Sequence, residues 1–572
     1  MTLINANHLA LARGSKPLFR DLNLTINRHD RIALVGHNGC GKSSLLALLA
    51  GELTPDEGEL TRQRGLRIGI MEQFVSPALQ TQTPRAAVLE GLPANRRAPE
   101  AYRADALLER LGFASEQLET KLGRLSGGQQ NLVLFARARL LDPELLLMDE
   151  PGNHMDVLAL GQLRSYLQNA RDLTFLMVSH DRDLLDACCN RTVFLRDERT
   201  WNFDLPYTEA RHALEVQDEQ AEARRKVEEK EIRRIRASAK RLAHWGHTFD
   251  NEDLARKAKT MDRRADRLDA EKTDVTAGNP LTLQLDASAL RSRTVLTVEQ
   301  LDVRARDDDR LLVHCEHLVV APGDRLALLG ANGTGKSTTI ARLLSAFERE
   351  DPQVRFNPNV TIGYFDQELG GFDTGLGRYD WIRDRYQGAD QDVTQQLLAA
   401  GVRYEDQQQP VASLSGGERA RTLFMLLALQ RPNLMVLDEP TNHIDLESRE
   451  QLESQLMGAS ATLLLTSHDR RFLERVCNRF VCIVDQRLVE LHDLDRYYAQ
   501  LEQWQPQGSR GKVLPERTAP VSAVTEEEAL ARIEALEALL NDDMARKAKF
   551  QKPERQAQWR DELTELWRRI GQ

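Results

Sequence analysis

Two stretches of this sequence carry the residue types needed to hold a polyphosphate: GHNGCGKS, Gly36 to Ser43, and GANGTGKS, Gly330 to Ser337. In each, glycines let the backbone curl until its N–H groups converge on an anion. Lys42 and Lys336 can reach the β- and γ-phosphates, and Ser43 and Ser337 offer a hydroxyl to Mg²⁺. His37, Asn38, Gly39, Cys40, Gly41 and Ser44 complete the first loop; Ala331, Asn332, Gly333, Thr334, Gly335 and Thr338 complete the second. The run after each loop reads as a helix whose N-terminus faces the anion.

Carboxylates follow at matching places. Asp149 and Asp438 end the apolar runs LLLM and LMVL, where an acid can orient the Mg²⁺ shell. Their neighbours Glu150 and Glu439 are the candidates to polarise an attacking water. Gln73, after RIGIME, and Gln367, after TIGYFD, are candidates to sense the γ-phosphate or the metal. Together these residues describe hydrolysis of ATP with Mg²⁺.

The elements that must position them read as strand, loop and helix in turn. RIALVG and RLALLG are apolar strands entering the glycine loops, while SSLLALLAG and STTIARLLSAF are the helices leaving them. LTFLMVSH and ATLLLTSH are a further pair of strands, each ending near a histidine, His180 or His468. Strands alternating with helices predict an α/β fold with a mainly parallel core sheet. The whole set recurs: Lys42 and Lys336 are 294 residues apart, Asp149 and Asp438 289, His180 and His468 288. Such a constant offset predicts a duplicated domain. The expected division is residues 1–204 and 294–500 for the two copies, 205–293 for a charged helical hairpin between them, 501–524 for a flexible linker and 525–572 for a helical tail.

Composition sets the surroundings. The chain has 572 residues, 41% of them hydrophobic, which suits two or three soluble domains. No run approaches the ~20 apolar residues that cross a bilayer, and MTLINANHLA lacks the pattern of a secretory signal. Six scattered cysteines fit a reducing cytoplasm. A net charge of −10 excludes a uniformly basic coat, but charge is uneven. Arg233 to Arg267 holds 11 basic and 5 acidic residues. From Arg211 to about Asp274 the sequence predicts two antiparallel helices interrupted near Trp245 and Gly246. Arg236, Lys240, Arg241, Arg256, Lys257, Lys259, Arg263 and Arg264 are the candidates there to meet phosphates; a solvated hairpin explains the same charges.

The motifs LSGGQQ, Leu125 to Gln130, and LSGGER, Leu414 to Arg419, resemble the signature of ATP-binding-cassette proteins. The resemblance implies that Ser126, Gly127, Gly128 and Gln129, with Ser415, Gly416, Gly417 and Glu418, bind the γ-phosphate held by the other copy's loop. It implies a head-to-tail pairing, Lys42 facing Ser415 and Lys336 facing Ser126, with His180 and His468 as switch histidines. Two such copies without a membrane span, and EPTNHID from Glu439 to Asp445, resemble the ABC-F family of cytoplasmic translation ATPases. The first copy departs from that wording, with Gly152 and Met155 in EPGNHMD. The resemblance implies a factor that closes on the ribosome with ATP, releases after hydrolysis, and sets its interdomain hairpin near transfer RNA and the peptidyl-transferase centre, with those basic residues and Trp245 as its RNA contacts. An antibiotic-resistance role on the ribosome, a repair role on structured DNA through the tail, and a transporter's nucleotide-binding subunit stay open as alternatives.

Overall fold

The computed structural model describes residues 1–498 apart from 15, 154, 249–251, 271, 274–289, 291, 306–308, 350, 367–368, 443, 492 and 495–496. These all belong to one compact unit, Met1–Gly508. The expected linker at 501–524 and helical tail at 525–572 lie outside the described residues.

Nine strands form the first sheet: β1 (Thr2–Arg13), β2 (Lys16–Asn27), β3 (Arg31–Val35), β4 (Glu57–Arg62), β5 (Ile68–Met71), β6 (Leu145–Asp149), β7 (Phe175–Val178), β8 (Arg191–Arg196) and β9 (Arg199–Phe203). Their order is β4-β1-β2-β9-β8-β3-β7-β6-β5. The stretch β8-β3-β7-β6-β5 is parallel throughout. The β2–β9 pair is parallel as well, and the antiparallel pairs β1–β2, β1–β4 and β8–β9 extend the sheet, so a mixed sheet surrounds the parallel core that was expected. The parallel strands read as unbroken apolar runs because both faces are covered. Ala33, Leu146, Met148, Phe175 and Met177 enter one core, while Ile32, Leu34, Leu145, Leu147 and Leu176 enter the core on the other face. The second copy, with central strands Arg325–Leu329, Leu434–Asp438 and Thr462–Thr466, builds a nine-stranded sheet with the same neighbour order. In both, the glycine loop and the acid-ending strand emerge at the carboxyl edge of the parallel strands, the usual ligand edge of such sheets.

The segment between the copies is a helix Tyr207–Thr248 followed by a helix Glu252–Ala270. Arg236 pairs with Asp266 and Asp269, and Glu228 accepts from Thr273, so the two run antiparallel. Ile232, Ile235 and Ala265 form a small seam between them. The first helix does not break at Trp245 and Gly246 but continues to Thr248, whose hydroxyl donates to the His244 carbonyl. One interior glycine costs a helix only ~1 kcal/mol relative to alanine, too little to end a 42-residue helix. At its root, Tyr207, Ala210 and Leu214 are buried in the core of the first copy. No described helix is long and apolar enough to cross a membrane.

Candidate nucleotide sites

Each glycine loop turns into its helix through a left-handed residue, Gly41 at φ 103° and Gly335 at φ 102°, a conformation that a side chain resists. The helices Lys42–Ala50 and Lys336–Glu348 begin there with no side-chain cap, leaving their first N–H groups for a ligand. The lysines fold back over the loops: Lys42 Nζ donates to the Gly36 carbonyl at 2.7 Å and Lys336 Nζ to that of Gly330 at 2.8 Å. Burial pushes the Lys336 ammonium below its ordinary value, against the pull of Glu439 and Asp438. An anionic phosphate would relieve that desolvation.

The acidic pair stands beside each loop. Asp149 is bonded to Ser43, and Asp438 to Ser337. Burial raises both carboxyls, with these hydroxyls opposing the rise. A hydroxyl touching a half-desolvated carboxylate is a donor set suited to Mg²⁺, which takes one or two protein ligands and keeps its waters. Glu150 and Glu439 come next, and both adopt left-handed backbone, at φ 51° and 48°. Such strain in non-glycine residues concentrates at functional sites. Both Glu439 carboxylate oxygens are buried without a hydrogen-bond partner, as fits a carboxylate that completes its shell with water.

The two sites differ in detail. His180 Nε2 lies 2.8 Å from Glu150 Oε1. Burial pushes Glu150 up, but the His180 imidazole, Lys42 and Arg449 outweigh it and leave the carboxyl below its ordinary value. In the second copy the corresponding distance is 3.4 Å, and His468 instead bonds Asn332 Oδ1 at 3.0 Å. Thr466 donates to Asp438 at 2.6 Å and accepts the Glu439 N–H at 2.9 Å; Val178, which pairs with Asp149 in the first sheet, has no hydroxyl to do so.

The signature serines cap helices. Ser126 Oγ accepts from the Gln129 N–H at 3.3 Å, and Gln129 Oε1 accepts from Ser126 N–H at 3.2 Å. Ser415 and Glu418 form the same reciprocal box. Each helix N-terminus is thereby aimed by its own capping residues, and Gly127 and Gly128, like Gly416 and Gly417, keep that end bare. A cleft of ≈ 560 Å³ is lined by Gly127 of the first copy together with Gly333, Lys336 and Ser337 of the second, with Glu439 and His468 beside them. The first glycine loop meets the second copy differently: the Asn38 N–H donates to Asp445 Oδ2 at 3.2 Å.

A buried ionic seam joins the two copies. Arg182 forms a two-pronged bond to Glu453, and the pair is 5% and 1% exposed. Arg471 reaches Asp183 at 2.5 Å and Asp186 at 2.8 Å. Tyr207, at the root of the hairpin, donates to Glu450 of the second copy at 3.2 Å.

Other expected residues fall outside this cluster. Gln73 is exposed just past β5, whose pairing with β6 brings it to the sheet edge of Asp149; Gln367 lies outside the described residues. On the hairpin, Lys240, Arg241, Trp245, Arg256, Lys257, Lys259, Arg263 and Arg264 are exposed. Arg236 is committed to Asp266 and Asp269. Reading the motifs missed Leu18 and Leu312, which sit 3.1 and 3.0 Å from where a Cβ on Gly41 or Gly335 would lie. Both precede the first loop glycine by 18 residues, a repeat signal open to inspection. These aliphatic side chains pack against the left-handed glycine through which each loop enters its helix.

The repeated sheet, the paired loops and acids, and the interlocked copies define a tandem ATP-binding-cassette protein. The ABC transporter family profile matches residues 19–153 and 315–442. The ATP-binding protein YheS of Escherichia coli K12 is 30% identical over 90% of this chain and 84% of its own length. Uup of Caulobacter vibrioides is 32% identical over 83% and 76%, and YdiF of Bacillus subtilis 29% over 87% and 82%. The chain belongs to the ABC-F family of ATP-binding-cassette proteins. The solved RNase-L Inhibitor superposes with a TM-score of 0.58 over 87% of this chain and 92% of its own, at 17% identity, which shows a shared tandem fold. ABCE1 in an assembly described as ribosome-bound archaeal Pelota and ABCE1 gives the same score over 86% and 80%.

Proposed function

We propose that the chain hydrolyses ATP to ADP and phosphate at two composite sites and uses the cycle to engage and leave the ribosome in the cytoplasm. In each site the glycine loop and lysine hold the phosphates. Ser43 with Asp149, and Ser337 with Asp438, would hold Mg²⁺, which supplies charge neutralisation on the β- and γ-phosphates. Gln73 and Gln367 are proposed at the same metal. Glu150 and Glu439 orient a water for in-line attack on the γ-phosphorus and accept a proton from it as the bond to the departing ADP oxygen breaks, and the imidazoles of His180 and His468 steady that carboxylate and the phosphate. The signature helices around Ser126 and Ser415 close each site by aiming an N-terminus at the γ-phosphate of the opposite loop. Closure therefore depends on ATP, and hydrolysis removes the group that holds the cassettes together.

The observation that carries the ribosome reading is the hairpin. Its root is buried in the first cassette and bonded to Glu450 of the second. Its far end exposes seven basic side chains and Trp245 on a protein of net charge −10. Such a face binds phosphate backbones without reading sequence. It suits folded RNA at the transfer-RNA side of the ribosome, and the neighbour described as ribosome-bound supports that partner.

The test is co-sedimentation with 70S ribosomes in ATP, comparing the wild-type chain with the double change Glu150→Gln and Glu439→Gln. The double variant is expected to bind ATP, turn it over slowly and accumulate on ribosomes. Reversing the charge of Lys240, Arg241, Lys257 and Lys259 should abolish that accumulation. A folded, ATP-loaded double variant that stays in the supernatant overturns the ribosome reading.

A further inference from the structure

Arg449 lies one turn into the helix Leu446–Gly458, which Asp445 caps by accepting the Ser448 N–H at 2.9 Å. Its side chain is 7% exposed, and none of the motif assignments above uses it. The guanidinium makes three bonds. One, of 2.9 Å, goes to the Thr441 carbonyl in its own EPTNHID loop. Another, of 2.7 Å, goes to the side chain of Asp469, directly after His468. The last crosses the interface to the backbone carbonyl of His180, also at 2.7 Å. That histidine is the one whose Nε2 lies 2.8 Å from Glu150.

A planar fork with fixed N–H directions suits this geometry, because the three acceptors lock its orientation. The consequence is directional. By the 289-residue offset that relates Asp156 to Asp445, the first cassette has Leu160 where the second has Arg449. Leu160 carries no donor and instead packs toward Gly152, 3.3 Å from where a Cβ there would lie. The second cassette thus grips the switch histidine of the first, and the residue that would return the grip is a hydrocarbon.

We propose that Arg449 is a positioning residue for the first ATP site, holding the His180 carbonyl so that hydrolysis over Lys42 depends on this side chain of the second cassette, while the first cassette, with Leu160 at the matching position, gives the Lys336 site no such grip. The inference rests on the reading that both sites hydrolyse ATP. Arg449 touches neither phosphate nor water in this scheme. It acts through the backbone of His180 and the imidazole–carboxylate pair.

The experiment uses the full chain with each site isolated in turn. Glu439→Gln leaves the Lys42 site as the active one, and Glu150→Gln leaves the Lys336 site. Arg449→Met and Arg449→Lys are placed in both backgrounds, and kcat and KM for MgATP are measured. In the Glu439→Gln background Arg449→Met is expected to lower kcat roughly 10- to 100-fold, the scale of a lost near-attack alignment, with KM changed less than about three-fold. Arg449→Lys, which keeps a donor and a charge, should recover part of that kcat and covers the case in which methionine prevents folding. In the Glu150→Gln background the kcat loss should be at least about three-fold smaller, because there Arg449 acts only through its Thr441 and Asp469 bonds. Equal losses in the two backgrounds, or a rise in KM with kcat intact, overturn the proposal. So does a protein in which either single glutamine change alone stops all turnover, because coupling is then symmetric. If the unsubstituted chain shows no ATP hydrolysis at all, it is the ATPase reading that fails.

Discussion

Replacing Arg182 with methionine measures what the ionic seam between the cassettes contributes. Arg182 and Glu453 are 5% and 1% exposed and bonded through two prongs. Removing one member of such a pair strands a buried charge and costs ~3–5 kcal/mol. Arg475 still reaches Glu453 at 2.9 Å, but it is 61% exposed, so it recovers only ~1 kcal/mol. The net expected loss for Arg182→Met is therefore about 2–4 kcal/mol. Glu453→Met should cost a similar amount, since Arg182 then has only Asp469 at 3.8 Å and Glu450 at 3.9 Å. The double variant puts two apolar chains of similar volume into the same space and is expected to return to within ~1 kcal/mol of wild type. Urea midpoints for the four proteins give the coupling energy, expected at ~2 kcal/mol or more. Additive costs would show that the seam is solvated or undocked in solution and refute the reasoning.

Three further outcomes follow from particular residues. Gly58→Ala should lower stability by roughly 1–3 kcal/mol, because φ is +90° and the new Cβ would sit 2.2 Å from the His8 carbonyl oxygen; Gly161→Ala, with open space around it in the helix Val157–Asn169, should raise stability by up to ~1 kcal/mol, both read from urea midpoints. Burial and the neighbouring Asp469 raise the Asp181 carboxyl from 3.8 to about 6. A raised acid contributes stability that is complete below its unfolded value and lost as pH climbs through the folded one, so wild type minus Asp181→Asn should decline from pH 4 to 6, and a flat difference would contradict the assignment. All six cysteines are buried, and burial pushes Cys188, Cys477 and Cys482 up to about 12; a thiol-specific disulfide reagent should react with the native chain far more slowly than with the urea-unfolded chain, and fast labelling of folded protein would count against the packing.

The parts of the sites that sequence reveals are those made by neighbours in the chain. A glycine loop, its lysine and its serine sit within eight residues, so their type and spacing carry the chemistry. The central strands are legible because double burial demands unbroken apolar runs such as LLLM. What is not legible depends on contacts across long separations. The antiparallel pairs β1–β2, β1–β4 and β8–β9 of the first sheet, repeated in the second, are encoded by no short motif. Arg449 meets the His180 carbonyl across 269 residues of sequence, and an arginine in a polar helix looks like any surface charge. Arg236 looked available for RNA, yet it is engaged by Asp266 and Asp269, 30 and 33 residues on. Leu18 and Leu312 are not legible because aliphatic side chains in strands usually signify only core. The first hairpin helix runs past the expected break to Thr248 because Gly246 is a weak breaker inside a long helix with many local supports.

The hairpin also has a mechanical property. Beyond Asp218, where Arg196 still clasps it, the helix runs on to Thr248 for about 45 Å at ~1.5 Å per residue. Its base is pinned on one side by hydrophobic burial in the first cassette and on the other by the Tyr207–Glu450 bond to the second. A relative turn of the cassettes by ~10° at that pivot would sweep the tip through roughly 8 Å, about the pitch and a half of an α-helix. The gearing is geometric and does not depend on what the tip touches. On this geometry a small turn at the nucleotide sites would be magnified to a displacement the size of a nucleotide at the far end, and the stiffness of the hairpin would set how much force arrives with it.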